Sequence, residues 1–83
     1  MTHPQFLDDP VSVDASLRDG RLFPKTIHWR EQDFVVTSIG RQWAEEGVNH
    51  VLVEVRNGSR MEIKLLGDLS WRLCRYWPPV YAA

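Results

Sequence analysis

The chain has 83 residues and a formal net charge of −1, with ten Lys and Arg against eleven Asp and Glu. This length supports one hydrophobic core and excludes a second one, and the balanced charge excludes a domain that is basic as a whole. Residues 1–9 contain Pro4 and show neither strand nor helix periodicity. We therefore expect a flexible lead-in over residues 1–9 and a single β-barrel domain over residues 10–83.

Cysteine content and hydropathy bear on the compartment. Cys74 is the only cysteine, so the chain cannot form an internal disulfide, which favours a reducing environment. No apolar run approaches the roughly 20 residues of a membrane span, and no signal segment opens the chain. We expect a cytoplasmic protein that has no membrane partner.

The first part of the chain predicts two short strands. Residues 11–15 alternate between apolar and polar side chains and form the first strand, and Asp19-Gly20 makes the turn that follows. Pro24 precedes a second strand over residues 26–29.

A third strand follows a polar interruption of hairpin length at residues 30–33. It covers residues 34–39, and Gly40 predicts a bend or bulge before residues 42–43. Residues 44–49 are polar and predict a loop, with room for one helical turn.

The strongest signal is Asn57-Gly58, which lies between two runs of alternating residues. A two-residue loop would place the two apolar rows on opposite faces of the sheet, whereas a three-residue loop over residues 56–58 places them on one face. The three-residue loop requires a positive φ at Gly58 and puts Glu54 opposite Arg60. On the apolar side, Val53 then faces Met61 and Val51 faces Ile63.

The last strand follows a turn at Gly67-Asp68 and covers residues 70–77, with Trp71 and Leu73 on its core-facing side. No segment shows the apolar 3–4 spacing of a helix over three turns. The sequence therefore predicts an all-β fold, a small antiparallel meander of about six strands curled into a barrel. An open sheet that dimerises through its apolar face is the alternative.

Aromatic and apolar residues recur along the predicted strands at Ile27, Trp29, Phe34, Val36, Trp43, Trp71, Leu73 and Trp77, with Arg75 between the last two. At these positions the chain resembles a family of small uncharacterised bacterial all-β domains, which occur alone or appended to larger proteins, some related to Y-family DNA polymerases. The resemblance covers about residues 11–77 and implies the barrel fold and a DNA-maintenance setting. The family has no established catalytic residues, so the resemblance transfers none to this chain. The chain departs from the family pattern at Glu31, where the turn usually has Gly, and at Trp77, which replaces a closing Tyr.

No residue pattern indicates catalysis, a cofactor or a metal. The histidines His3, His28 and His50 lack the spacing of a metal motif, and Cys74 has no paired ligand in the sequence. The neighbouring carboxylates of residues 8–9 and 45–46 are typical of solvated charges. We expect a protein that is not an enzyme and holds no cofactor.

The solvent-exposed face of the last strands is the predicted binding surface. Alternation places Arg60, Lys64, Arg72 and Tyr76 there, and basic groups beside an aromatic ring are typical of barrels that bind single-stranded nucleic acid. Acidic side chains share this face, and mixed signs are also typical of a solvated antiparallel sheet. The acidic members are Glu54 and Glu62.

Arg75 and Trp43 complete the candidate binding residues. Alternation places Arg75 on the core-facing side, where it either packs its stem on Trp77 or Trp29 at the barrel mouth, with its head in water, or pairs with a carboxylate. Trp43 either fills the core or, if it is exposed beside Tyr76 and Trp77, lines a groove for an extended peptide. We predict an interaction module, a monomer or weak dimer, that binds a protein partner, with single-stranded nucleic acid as the alternative.

Overall fold

Six antiparallel β-strands form a closed barrel in the computed structural model of the protein, which describes residues 3–79. Each strand pairs with the next along the chain, and β6 pairs with β1 to close the barrel. This confirms the predicted all-β meander and excludes the open sheet. No helix that is long and apolar enough to span a membrane occurs in the described part of the chain. The strands are β1 (Gln5–Arg18), β2 (Arg21–Trp29), β3 (Gln32–Glu45), β4 (Val48–Val55), β5 (Arg60–Leu65) and β6 (Trp71–Trp77).

The barrel begins earlier than the sequence predicts. Residues 5–9 belong to β1 and pair with β6, Gln5 lying opposite Tyr76 and Asp9 opposite Leu73. The periodicity of this segment is hidden because the β1–β6 ladder shifts register between Phe6 and Asp9. Residues 1–2 of the predicted lead-in and residues 80–83 of the predicted domain lie outside the described residues.

The core lies between the inward-facing rows of the strands. Val51, Val53 and Val55 of β4 face inward beside Met61 and Ile63 of β5, so both apolar rows of the predicted hairpin are buried. Burial of each such side chain contributes about 1.5–3 kcal/mol. The other members of the buried cluster are Ile27, Trp29, Phe34 and Leu73.

The β4–β5 hairpin has the predicted three-residue loop. Glu54 pairs with Arg60, and Gly58 has φ +89°. The N–H of Gly58 donates to the carbonyl of Val55 over 2.9 Å, and the N–H of Val55 donates to the carbonyl of Ser59 over 3.0 Å. The predicted register is confirmed.

The β5–β6 turn repeats this backbone geometry with Leu69 in the glycine position. The N–H of Leu69 donates to the carbonyl of Leu66 over 2.9 Å, and the N–H of Leu66 donates to the carbonyl of Ser70 over 2.8 Å. Leu69 has φ +70°, the left-handed conformation that side chains disfavour. Its side chain is 77% exposed.

The predicted loop at residues 44–49 is instead a tight hairpin. β3 continues to Glu45 and β4 begins at Val48, so only Glu46 and Gly47 lie between the strands. Both have positive φ, as a type I′ turn requires, and the glycine makes this conformation accessible. The polar composition of the segment reflects two exposed strand ends and not an irregular loop.

Bulges change which side chains of β3 and β6 face outward. β3 shifts register between Ile39 and Gln42, which confirms the bulge predicted at Gly40. In β6, Leu73 pairs with Ile63 and Arg75 pairs with Glu62, so Cys74 is an extra residue. Because a bulge reverses the alternation beyond it, the remainder of β6 presents the opposite faces from those that the sequence predicts.

The backbone ladder between β2 and β3 is short. Their ladder covers only residues 26–29 and 32–35. Beyond it, the side-chain amide of Gln42 donates to the carbonyl of Leu22 over 2.7 Å and accepts from the N–H of Leu22 over 3.1 Å. One side chain therefore bridges the seam where the ladder stops.

Candidate functional site

Cross-strand pairing arranges the outward side chains of β3 to β6 in three rows, which together we call the β3–β6 outer face. Side chains that lie opposite each other in an antiparallel pair share a face and are about 4.5–5.5 Å apart at Cβ. The first row is Trp43, His50, Lys64 and Arg72; the second is Leu52, Glu62 and Arg75; the third is Ser38, Glu54, Arg60 and Trp77.

A buried polar cluster occupies the centre of this face. The Glu62 carboxylate, whose side chain is 8% exposed, accepts a hydrogen bond from Nε of Arg75 and lies 3.0 Å from Nδ1 of His50. The Trp43 ring stacks on the imidazole of His50 at 5.2 Å with an interplanar angle of 12°. Glu62 was expected on the solvent-exposed face; it does face outward, but the neighbouring side chains bury it, as they bury His50. A buried carboxylate requires partners of this kind.

Cys74 borders the cluster from its bulge. Its side chain is half-buried, and burial, with a smaller contribution from the Glu62 carboxylate, raises the pKa of its thiol to about 11. The thiol is therefore protonated near neutral pH and is a poor nucleophile there. The donor atoms of His50, Glu62 and Cys74 all lie within 4.8 Å of one another.

A groove of about 370 Å³ opens beside the cluster. Leu52 and Trp77 supply apolar walls, and Gly40 leaves one side free of a side chain. Glu54 and Arg60, whose Oε2 and Nε atoms lie 3.5 Å apart, form its polar rim. The groove therefore combines an apolar lining with adjacent charges, as is typical of sites that take up a side chain of a partner.

The structure brings some of the predicted binding residues together. Arg60, Lys64 and Arg72 lie on the outer face, where the sequence places them. Nε of Arg72 donates to the Asp8 carboxylate over 2.6 Å, so this guanidinium is already paired. The expectation that residue 8 is simply a solvated charge is corrected by this pair.

Tyr76 is the predicted binding residue that the structure removes from this face. It lies opposite the fully buried Met61, packs against the core and has its ring 5.1 Å from that of Trp29. The prediction that it is exposed is wrong because the Cys74 bulge turns the strand.

The same bulge corrects the placement of Arg75. It faces outward and not toward the core, and its guanidinium lies 5.0 Å from the centre of the Trp77 ring. Of the two alternatives weighed for this residue, the carboxylate partner occurs, in Glu62, whereas Trp77 is contacted by the guanidinium on the outer face and not by the stem at the barrel mouth. Trp43 is half-buried on the outer face and does not enter the core cluster.

Two charged clusters lie away from this face. His28 lies between Asp33, at 2.6 Å, and Asp14, at 3.0 Å, and these hydrogen bonds raise the pKa of its imidazole. The Asp9 carboxylate accepts hydrogen bonds from the indole N–H of Trp29 and from Arg30, which lower its pKa. Asp9 too was expected to be simply solvated.

Sequence reasoning missed the cluster of His50, Glu62 and Cys74. Part of the signal was present, because the predicted register already makes Glu62 the diagonal neighbour of His50. The bulge that aims Cys74 and Arg75 at them has no marker such as glycine in β6.

No family model, no curated protein and no solved structure matches this chain. The resemblance to small bacterial all-β domains therefore stays a prediction.

Proposed function

We propose that this protein is a non-enzymatic interaction module whose β3–β6 outer face binds an extended segment of a protein partner. The observation that carries the proposal is the groove between Leu52 and Trp77 with its charged rim. Exposed apolar surface of this kind is typical of protein interaction sites. Phe6 adds to it, since it is 78% exposed and lies opposite Arg75 on the neighbouring strand.

The charges of the outer face favour an acidic segment. The three rows contain four basic side chains, Arg60, Lys64, Arg72 and Arg75, and two acidic ones, Glu54 and Glu62. Four minus two gives a charge of +2 for the three rows themselves, whereas the whole chain carries −1. Asp8 and Glu45 lie outside the rows, against Arg72 and His50 of the first row and away from the groove, and they reduce this excess at that edge. Such complementarity steers a partner of opposite charge and sets its orientation. We therefore infer a segment with one apolar anchor for the groove and carboxylates on either side of it.

Single-stranded nucleic acid is the second candidate, and the position of Tyr76 weakens it. Base stacking needs an exposed ring, but Tyr76 packs inward and Trp43 already stacks on His50. Trp77 is the remaining aromatic ring of the three rows. If the resemblance to domains of the DNA-maintenance setting holds, the acidic segment belongs to a protein of that setting.

Titration followed by amide NMR shifts tests this function. The probes are a short synthetic peptide with one Leu between glutamates, the same peptide with lysines in place of the glutamates, and an oligothymidylate. We expect the acidic peptide to shift the amide signals of Leu52 and Trp77 at micromolar concentration. Trp77→Ala should weaken its binding at least about tenfold, as loss of an anchoring aromatic does.

Leu69→Ala is the matched control, since Leu69 is also an exposed apolar residue but lies on the β5–β6 turn. Its variant should bind the acidic peptide as the unmodified protein does. Binding of the oligothymidylate alone would replace the peptide proposal by the nucleic-acid alternative. Equal binding of the glutamate and lysine peptides would contradict the inferred charge preference.

A further inference from the structure

Three side chains of different chemistry converge at the centre of the outer face. His50 comes from β4, Glu62 from β5 and Cys74 from the bulge of β6. They provide one nitrogen, one oxygen and one sulfur donor within 4.8 Å of one another. Nitrogen, carboxylate oxygen and thiolate sulfur are the three donors that zinc takes in proteins. We propose that His50, Glu62 and Cys74 form a binding site for one Zn²⁺ ion.

The spacing of the donors agrees with a tetrahedral ion. Bond lengths of about 2.0–2.3 Å place tetrahedral zinc ligands roughly 3.3–3.7 Å apart. Nδ1 of His50 and Oε2 of Glu62 are 3.0 Å apart, and the sulfur of Cys74 completes a triangle whose sides do not exceed 4.8 Å. Three protein donors leave a fourth position for water.

The surrounding side chains hold the ligands in the orientation that a metal needs. A zinc-bound histidine usually directs its second ring nitrogen to a carboxylate. Glu45 is the carboxylate on that side of His50, with Oε2 at 3.9 Å from Nε2, which is outside direct hydrogen-bond distance. The stacked Trp43 ring limits rotation of the imidazole. Arg75 contacts the other oxygen of Glu62, Oε1, so that Oε2 can face the metal. Trp43 and Arg75 therefore restrain two of the three ligands, His50 and Glu62.

The charge of the site balances when zinc binds. The Glu62 carboxylate supplies one negative charge, and Cys74 supplies a second when its thiol loses a proton to solvent as the Zn–S bond forms. Together they offset the charge of Zn²⁺, while Arg75 keeps its contact with the other oxygen of Glu62. Among residues 3–79, this is the one group of three or more potential ligands placed closely enough for a metal.

Cobalt(II), added to the metal-free protein, is the spectroscopic probe for this site. We expect one equivalent to produce a sulfur-to-cobalt charge-transfer band together with the visible bands of tetrahedral cobalt, and one equivalent of Zn²⁺ to abolish both. Cys74→Ser should remove the charge-transfer band. His50→Gln and Glu62→Gln should each weaken cobalt binding by at least about 10–100-fold, because loss of a contact that only supports a ligand already has an effect of that size. His28→Gln, which changes a histidine between two other carboxylates, is the matched control and should bind cobalt normally.

A second measurement uses the unmodified protein, because Glu62→Gln alters a buried ion pair and can impair folding. Zn²⁺ should shift the ring NMR signals of His50 and leave those of His28 unchanged. The absence of a charge-transfer band at millimolar cobalt would overturn the site. If the charge-transfer band forms at the same cobalt concentration in His50→Gln and Glu62→Gln, the thiol alone binds the metal and the site is also overturned. A zinc-induced shift confined to the ring signals of His3 or His28 would overturn it as well.

Discussion

The β4–β5 and β5–β6 turns share one backbone geometry, which predicts opposite changes in stability when glycine is removed from the first turn and introduced into the second. Gly58 occupies the left-handed position of the β4–β5 turn at φ +89°, and Leu69 occupies the same position of the β5–β6 turn at φ +70°. A residue other than glycine loses about 1–2 kcal/mol in this conformation. Glycine also makes the unfolded chain more flexible, so folding loses more conformational entropy. This loss offsets up to about 1 kcal/mol of that difference.

We therefore expect Leu69→Gly to stabilise the protein by about 0.5–1 kcal/mol. Little burial is lost, since the Leu69 side chain is 77% exposed. Gly58→Ala should destabilise it by about 1 kcal/mol. A Cβ added at position 58 has room, its nearest neighbour being the Cβ of Pro79 at 3.9 Å, so this loss is conformational and not steric.

Urea unfolding measures both changes as shifts of the midpoint at constant slope. Leu69→Ala is the control, because it shortens the side chain and keeps the strained backbone. If Leu69→Gly proves no more stable than Leu69→Ala, the left-handed strain at position 69 is not the cause of any difference, and the prediction is wrong. A Gly58→Ala variant as stable as the unmodified protein would refute the expected strain at the other turn.

Three further predictions concern the core and the titratable groups. Leu73→Ala should lower the free energy of unfolding by about 2–5 kcal/mol, because this side chain is fully buried; a loss below about 1 kcal/mol in urea would contradict its placement. His28, whose pKa is raised from 6.5 by Asp33 and then Asp14, should stabilise the fold fully below pH 6.5 and lose that contribution as pH rises through its folded pKa. Urea midpoints across this range should show the decline, and His28→Gln should abolish it. Cys74, with a thiol pKa of about 11, should react with a thiol reagent slowly at neutral pH and faster as pH approaches that value, whereas a neutral-pH rate equal to that of the urea-unfolded chain would contradict its burial.

The alternation of side chains between the two faces of a strand explains why the register of the β4–β5 hairpin was predictable. In the β4–β5 hairpin, only the three-residue loop buries Val53 and Met61 together, so the alternation of apolar residues is enough to select the register. The same rule failed in β6, where Cys74 is inserted without an interruption of the apolar and aromatic pattern. The errors at Arg75 and Tyr76 both follow from this one residue.

The start of β1 was unpredictable for a different reason. Residues 5–9 acquire strand structure from pairing with β6, more than 60 residues away along the chain, and not from their own pattern. The groove has the same origin, since Gly40 and Trp77 meet there from bulged or terminal parts of different strands. Local periodicity shows which strands exist, but it does not contain the contacts that close the barrel and shape its surface.

The bridge between Gln42 and Leu22 has a consequence for the motion of the barrel. A glutamine amide carries the same donor and acceptor as a peptide group, so this side chain substitutes for one residue of the ladder that β2 and β3 lack beyond residues 26 and 35. Two hydrogen bonds from one flexible side chain hold the ends of the β1–β2 and β3–β4 hairpins together at this point. If these two hydrogen bonds break, β2 and β3 can separate at this point while every backbone hydrogen bond of the β2–β3 ladder remains formed, so that local opening here does not require unfolding of the barrel.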